Sequence, residues 1–407
     1  MLLSPSKWLR NIVLYTAATV MGVLPAYAGT ETVMYAFKGG SDGAHPYAPV
    51  FYAPTNNEKQ FWGTTQAGGE GSAGTVFVVV PPNRESVVYS FKTGAHDAVN
   101  PISGLTRLNG VFYGTTPTGG ANDAGAIFTI NKTAAEKGTE SVFYSFPASG
   151  SPGQNPMGGL TTILSGLCGT TGTGGHPATG KGFGTVFCLS NGVPVVRYVF
   201  TGGRNGAMPS ATLTPSGHNL YGTTLLGGGS SNCVGGCGTA FWLDLASGER
   251  QIGALQGGVN GARPRGGLLS LAAGSGFGTT ANGGSPNCQA GCGTVFEAGP
   301  AANSQRVVYA FQGGADGAHP LAGLVELEGL MYGTTYAGGA YNKGTIYSIS
   351  PTTGAEKVLY SFRGGTDGAG PRATLIEFQG TFYGTTERGG GATACPGGCG
   401  TVFSFRP

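Results

Sequence analysis

Apolar and polar residues alternate in short runs along the chain, with glycine-rich punctuation between the runs. In Lys357 to Phe362, Val358, Tyr360 and Phe362 fall on one face and Leu359 and Ser361 on the other, the period of a β-strand. Such stretches come in fours. Pro320 to Leu327 reads as strand a, Leu330 to Thr335 as b, Gly344 to Ile349 as c and Lys357 to Phe362 as d. The links between them are glycine-rich, and no stretch carries a helical period.

The same four-strand pattern returns seven times. Gly-Thr-Thr begins at Gly63, Gly114, Gly169, Gly222, Gly278, Gly333 and Gly384, at intervals of 51, 55, 53, 56, 55 and 51 residues. A Gly-[Thr/Ala]-x-[Phe/Tyr] marker follows each copy, from Gly74 to Gly400. Tyr-x-Phe recurs at Tyr35, Tyr89, Tyr144, Tyr198, Tyr309 and Tyr360 and is degenerate at Ile252-Gly253-Ala254-Leu255. A proline behind a glycine turn completes the set: Pro46, Pro101, Pro156, Pro209, Pro264, Pro320 and Pro371. Helix-free four-stranded units repeated seven times predict an all-β, seven-bladed β-propeller of four-stranded blades. A β-helix needs a much shorter rung and fits less well. The chain opens after residue 28 with a d-like strand (Glu31 to Phe37) and closes with a, b and c (Pro371 to Phe405). The last blade is therefore expected to be closed by the N-terminal strand, which removes the exposed edges.

Composition narrows the class. Seventy-nine glycines and only 10% charged residues would suit disorder, but 17 Tyr, 21 Phe and many Val at regular places argue for strands separated by turns. Residues 1–28 read as an export signal: Lys7 and Arg10, an apolar stretch from Asn11 to Leu24, then Ala26-Tyr27-Ala28. An uncleaved anchor is the other reading. Residues 29–407 are expected to form a single domain with no membrane span, secreted or periplasmic and monomeric. The net charge of +3 falls to about +1 without Lys7 and Arg10, which leaves no electrostatic footprint for nucleic acid or an anionic membrane. The eight cysteines form four local pairs, Cys168/Cys188, Cys233/Cys237, Cys288/Cys292 and Cys395/Cys399. An even count behind an export signal favours disulfides over zinc. Cys168 and Cys188 take the places that Tyr221 and Trp242 hold in the next blade, as a cross-strand pair would.

The pattern Tyr-Gly-Thr-Thr-x-x-Gly-Gly…Gly-Thr-Val-Phe…Tyr-Ser-Phe…Gly-Gly-x-Asp-Gly-x-x-Pro resembles the GloVer tandem-repeat proteins of bacteria over nearly all of the chain after residue 28. The resemblance implies a propeller-like repeat fold and export, and it implies no reaction.

Candidate chemistry is confined to loops. The d-to-a and b-to-c connections emerge on one face of a propeller, and both are long and glycine-rich here. The d-to-a turn carries Asp42, Asp97, Asn205, Asn260, Asp316 and Asp367, with Pro152 in the third copy. An Asx-type turn explains this position. A calcium or sugar-binding carboxylate is the sharper reading, but asparagine substitutes and no Asp-x-Asp cluster is present. The residue before each repeat proline varies: His45, Asn100, Asn155, Met208, Arg263, His319 and Gly370. Preceding the innermost strand, these residues are expected to ring the mouth of the central channel, either as a ligand site or as freely drifting positions. Seven Gly-Thr-Thr copies speak against a threonine nucleophile and for strand pairing. Only Trp62 and Trp242 lie outside the signal, which does not suit a propeller quinone site. No cofactor or metal is expected, calcium being conceivable but not indicated. The function expected is a binding or interaction scaffold for a glycan, a cell-surface polymer or an extracellular protein. The alternatives are a polysaccharide lyase or hydrolase using Asp316, His319, Asp367, Asp42 and His45 where blades six, seven and one meet, and a purely structural repeat protein.

Overall fold

The computed structural model describes residues 29–54, 58–94, 97–132, 138–164, 166–176, 182–248, 250–272, 275–299 and 305–407; the expected export signal, 1–28, lies outside them. Seven antiparallel sheets, one per repeat, stand around a ring as a seven-bladed β-propeller. The sixth blade is built from Val325–Leu327, Leu330–Thr335, Thr345–Ile349 and Glu356–Ser361. Strands b, c and d thus lie where the alternation placed them, give or take one residue. Strand a is shorter than predicted, because His319 takes φ 56° and the glycine and proline residues around it leave only three residues in ladder geometry.

Ring closure occurs as the chain ends required. Thr30–Ala36 pairs antiparallel with Thr401–Arg406, from Thr30 opposite Arg406 to Ala36 opposite Thr401. One detail departs from the simple alternation of strand d. In six blades its pairing with strand c slips by one residue just before the Tyr-x-Phe tyrosine: Ile346 faces Tyr360, but Tyr347 faces Val358. Leu359 is the bulged residue in blade six, and the bulge twists the outer strand so that tyrosine and phenylalanine both face the next blade.

Each residue of Gly-Thr-Thr has its own task. A Cβ on Gly63 would lie 2.4 Å from the Phe77 ring, so glycine makes room for the aromatic residue of strand c. The first threonine reaches the next blade: the hydroxyls of Thr64, Thr115, Thr223, Thr279 and Thr385 donate to the carbonyls of Ser103, Gly158, Gly266, Ala322 and Ala48. The second pairs within its blade with the threonine of strand c, as in Thr65–Thr75 at 2.8 Å and Thr386–Thr401 at 2.7 Å.

Contacts between blades repeat with equal regularity. The phenylalanine of each Tyr-x-Phe meets the strand c aromatic of the next blade edge to face, with Phe37–Phe77, Phe91–Phe128 and Phe311–Tyr347 all at 5.0 Å. Each such pair adds about 0.5–1.5 kcal/mol beyond its buried area. The repeat proline packs on the glycine that opens strand c of the preceding blade; Gly400 has φ 98°, and a Cβ there would lie 2.4 Å from the Thr386 carbonyl oxygen and 2.6 Å from Pro46 Cδ. All four cysteine pairs are disulfides, and Cys168 stands directly opposite Cys188 as Tyr221 stands opposite Trp242. Among the described residues no helix is long and apolar enough to cross a membrane.

Candidate functional site

The d-to-a turn and the b-to-c loop of each blade share one face and are bonded to each other, for example Gly69 N to Gly40 O and Gly339 N to Gly314 O. The residues expected to ring the channel have a different principal task. His45, Asn100, Asn155, Met208, Arg263, His319 and Gly370 all adopt left-handed backbone, with φ between 53° and 62°. That conformation turns each N–H back onto the preceding blade: His45 N donates to Cys399 O, Arg263 N to Cys237 O and His319 N to Cys292 O, at 2.7–2.8 Å. Three side chains repeat the gesture. His45 Nδ1, Asn155 Nδ2 and His319 Nδ1 donate to the carbonyls of Glu387, Pro117 and Ala281, each the residue after Gly-Thr-Thr one blade back. Arg263 donates to Val234 O.

The turn carboxylates are also committed to the frame. Asp42, Asp97, Asp316 and Asp367 accept a hydrogen bond from the hydroxyl of Tyr35, Tyr89, Tyr309 and Tyr360, and another from the backbone N–H of Lys38, Lys92, Gln312 and Arg363. The carboxylate thus reaches back four residues, or five at Asp97, where a simple Asx-turn bonds forward. Asp42, His45, Asp316, His319 and Asp367 are each bonded in their own blade interface. Among the described residues no group of three or more His, Cys, Asp or Glu is placed to hold a metal ion.

The residue after each proline takes the place assigned to the one before it. Tyr47, Ile102, Met157, Ser210, Arg265, Leu321 and Arg372, one from every blade, line a central cavity of about 310 Å³. Small residues behind them, such as Gly104, Gly158 and Gly266, let the inner strands approach closely; a Cβ on Gly266 would lie 2.3 Å from Gly323 N.

Chemistry concentrates on one side of this ring. Arg372 lies over the rings of Tyr47 and Tyr336, 4.5 and 5.3 Å from their centroids. Its Nη1 donates to Glu387 Oε2 at 3.0 Å; Glu387 is 5% exposed and is also bonded by Arg388 Nη2 at 3.4 Å and the Tyr47 hydroxyl at 3.3 Å. Burial, and then the charge of Glu387, raise the Tyr47 phenol above its ordinary value, so it stays a neutral donor. Tyr336 and Arg388 continue into a second cavity of about 630 Å³ between blades six and seven, walled also by Lys343 and by Gly370. Arg372 and Tyr336 therefore join the central channel to a surface groove.

Sequence reasoning missed Tyr47, Arg265, Arg372, Tyr336 and Glu387. Two signals could have revealed them: the position after the proline varies as widely as the one before it, and Glu387 and Tyr336 occupy the variable place behind Gly-Thr-Thr.

Solved structures share the architecture at low identity. The extracellular domain of a candidate one-component system from B. thetaiotaomicron matches with TM-score 0.52 and 11% identity, over 91% of this chain and 40% of that one. A candidate 6-phosphogluconolactonase from Bacteroides fragilis matches with TM-score 0.50 and 13% identity, over 85% and 97%. TolB from Acinetobacter baumannii gives TM-score 0.38 and 13% identity over 78% of this chain, which spans 63% of TolB. At these identities the first two matches speak for the fold alone. No curated protein matches the chain. The repeat itself is matched by a family model over residues 10–235 and 234–403, and with nearly the whole chain covered, the protein belongs to the Gloeobacter/Verrucomicrobia repeat family.

Proposed function

We propose that this propeller is an exported binding scaffold for a glycan or other cell-surface polymer, with its site where the central channel opens toward blades six, seven and one. Arg372 carries the reading. It rests between two tyrosine rings, is anchored to a buried glutamate and stands at the junction of two cavities. Aromatic faces beside fixed polar groups suit the alternating apolar and hydroxylated faces of a sugar. A groove that continues into a channel suits a polymer better than a single small molecule. His45, Arg263 and His319 stand two residues before the channel-lining Tyr47, Arg265 and Leu321. Export accords with the disulfides and with the signal-like residues 1–28. The lyase or hydrolase reading gains no support, since its carboxylates are bonded to tyrosines in separate interfaces.

A glycan array probed with the purified chain tests the proposal. Binding to at least one polysaccharide class is expected, reduced about tenfold by Tyr336→Ala, a loss of about 1.4 kcal/mol. An array without signal, or binding indifferent to Tyr336→Ala and Arg372→Ala, would overturn it.

A further inference from the structure

Positive charge gathers at this opening without matching negative charge. Among the described residues Glu387 is the one carboxylate bonded in the cluster, and Arg372, Arg388 and Tyr47 already claim it. Arg265, on the channel wall two blades away, has no hydrogen-bond or ion-pair partner among the described residues and remains open to solvent. Lys343, also exposed, walls the adjoining groove together with Arg388. Arg265, Arg372, Arg388 and Lys343 thus form a basic track leading from the channel into the groove.

The surroundings sharpen the imbalance. The chain around Arg265 strips part of its hydration, and the like charges of Arg372 and Arg263 act with that to lower its affinity for its proton. An uncompensated guanidinium beside a second one is costly to keep, and an incoming anion relieves that cost. The rest of the chain is nearly neutral after residue 28, so the track is a local feature and no consequence of a basic composition.

We propose that the polymer taken by this site is acidic, a uronate-containing polysaccharide whose carboxylates pair with Arg265 in the channel and with Arg388 and Lys343 in the groove. This rests on the binding function proposed above and names its ligand class. A guanidinium holds a carboxylate by two parallel hydrogen bonds, and successive uronate residues present carboxylates along the chain as the basic side chains are presented along the track.

Affinity electrophoresis of the full chain through polygalacturonate, dextran and dextran sulfate gels separates the outcomes. Retardation in polygalacturonate but not in dextran is expected. Arg265→Ala should weaken it about tenfold and Lys343→Ala several-fold, while Arg306→Ala, at an exposed pair with Glu297 on an outer strand, should leave it unchanged. Among the described residues the side chains of Arg265 and Lys343 make no internal bond, so those two variants should melt with the parent, while Arg306→Ala gives up its bonds to Glu297 and the Pro351 carbonyl and is compared at a temperature where it stays folded. Retardation in dextran and not in polygalacturonate would overturn the acidic ligand and leave the binding function standing. Retardation in dextran sulfate alone would overturn the carboxylate class. Equal losses in Arg265→Ala and Arg306→Ala would reduce the effect to net charge and overturn the site. Failure to bind any polymer would remove the binding function as well.

Discussion

The interface between blades seven and one and that between blades four and five use one backbone plan with different side chains. In both, the residue before the proline is left-handed and bonds the preceding blade, through His45 N to Cys399 O in one and Arg263 N to Cys237 O in the other. In both, a Gly-Thr-Thr threonine donates across the gap, a proline packs on a positive-φ glycine, and a disulfide lies against the glycine doublet of the next turn. The differences lie further out. The seven–one interface has Phe37 edge to face with Phe77, and Tyr35 bonded to Asp42. The four–five interface has Leu255 in place of phenylalanine, Gly253 in place of tyrosine and Asn260 in place of aspartate, and its outer strand pairs without the bulge. Where Glu85 faces Asp42, Gln305 donates to the Asn260 carbonyl. The threonine, proline and positive-φ glycine that join the blades are the same in both interfaces, whereas the outer rim holds different side chains that still fill it.

The largest test strikes the shared plan. Gly400→Val and Gly238→Val each put a branched side chain at φ 98° or 101°, with the Cβ about 2.5 Å from a carbonyl oxygen and from the packed proline. Backbone strain and overpacking together cost on the order of 4 kcal/mol at either interface, read as a lost or strongly shifted urea transition. If one site tolerates the change, the two interfaces do not share a plan. The next test is particular to one side. Phe37→Ala empties the aromatic contact at ring closure and should cost about 3–5 kcal/mol, whereas Phe37→Leu, which copies Leu255, should cost only about 1 kcal/mol. Equal costs would show that the four–five interface is weaker for want of its ring.

The smallest effect is a matter of pH. Burial first, then the negative charge of Asp42 and hydrogen bonding to it, raise the Glu85 carboxyl to about 8, with Lys38 and Tyr35 opposing. Glu140 and Glu356 rise to about 8, and Glu31 to about 7, from the same leading cause and the charges of Asp97, Asp316 and Asp367. The folded chain thus keeps protons that the unfolded chain releases above about pH 4.5. The stability this confers is full in acid and is lost as pH rises through about 7 to 8. The melting temperature should therefore fall between about pH 5 and pH 9, and Glu85→Gln, which imitates Gln305, should flatten that fall. An unchanged slope would mean that the Asp42–Glu85 pair does not hold a proton.

The family's repeat accounts for how much was legible. Tyr-x-Phe, Gly-Thr-Thr and the proline are frame residues that meet an equivalent partner in every blade, so recurrence alone exposed them. Arg372, Tyr47 and Glu387 meet once, from positions that differ in every copy, and nothing in a single repeat marks them as neighbours. The pre-proline position misled because variation there reads as freedom, whereas its left-handed backbone and inward bond belong to the frame.

The amino-acid order by itself determined the blade count, the closure of the seventh blade by the first strand, the single loop face and all four disulfides. These follow from local alternation, fixed spacing and short-range pairing, which are properties of neighbouring segments. Only the tertiary structure decided which side chains enter the channel, where the outer strands bulge and that the basic residues of blades five, six and seven lie along one track. Those depend on a displacement of two residues at each inner strand and on packing between blades about 54 or more residues apart, distances over which strand periodicity carries no phase.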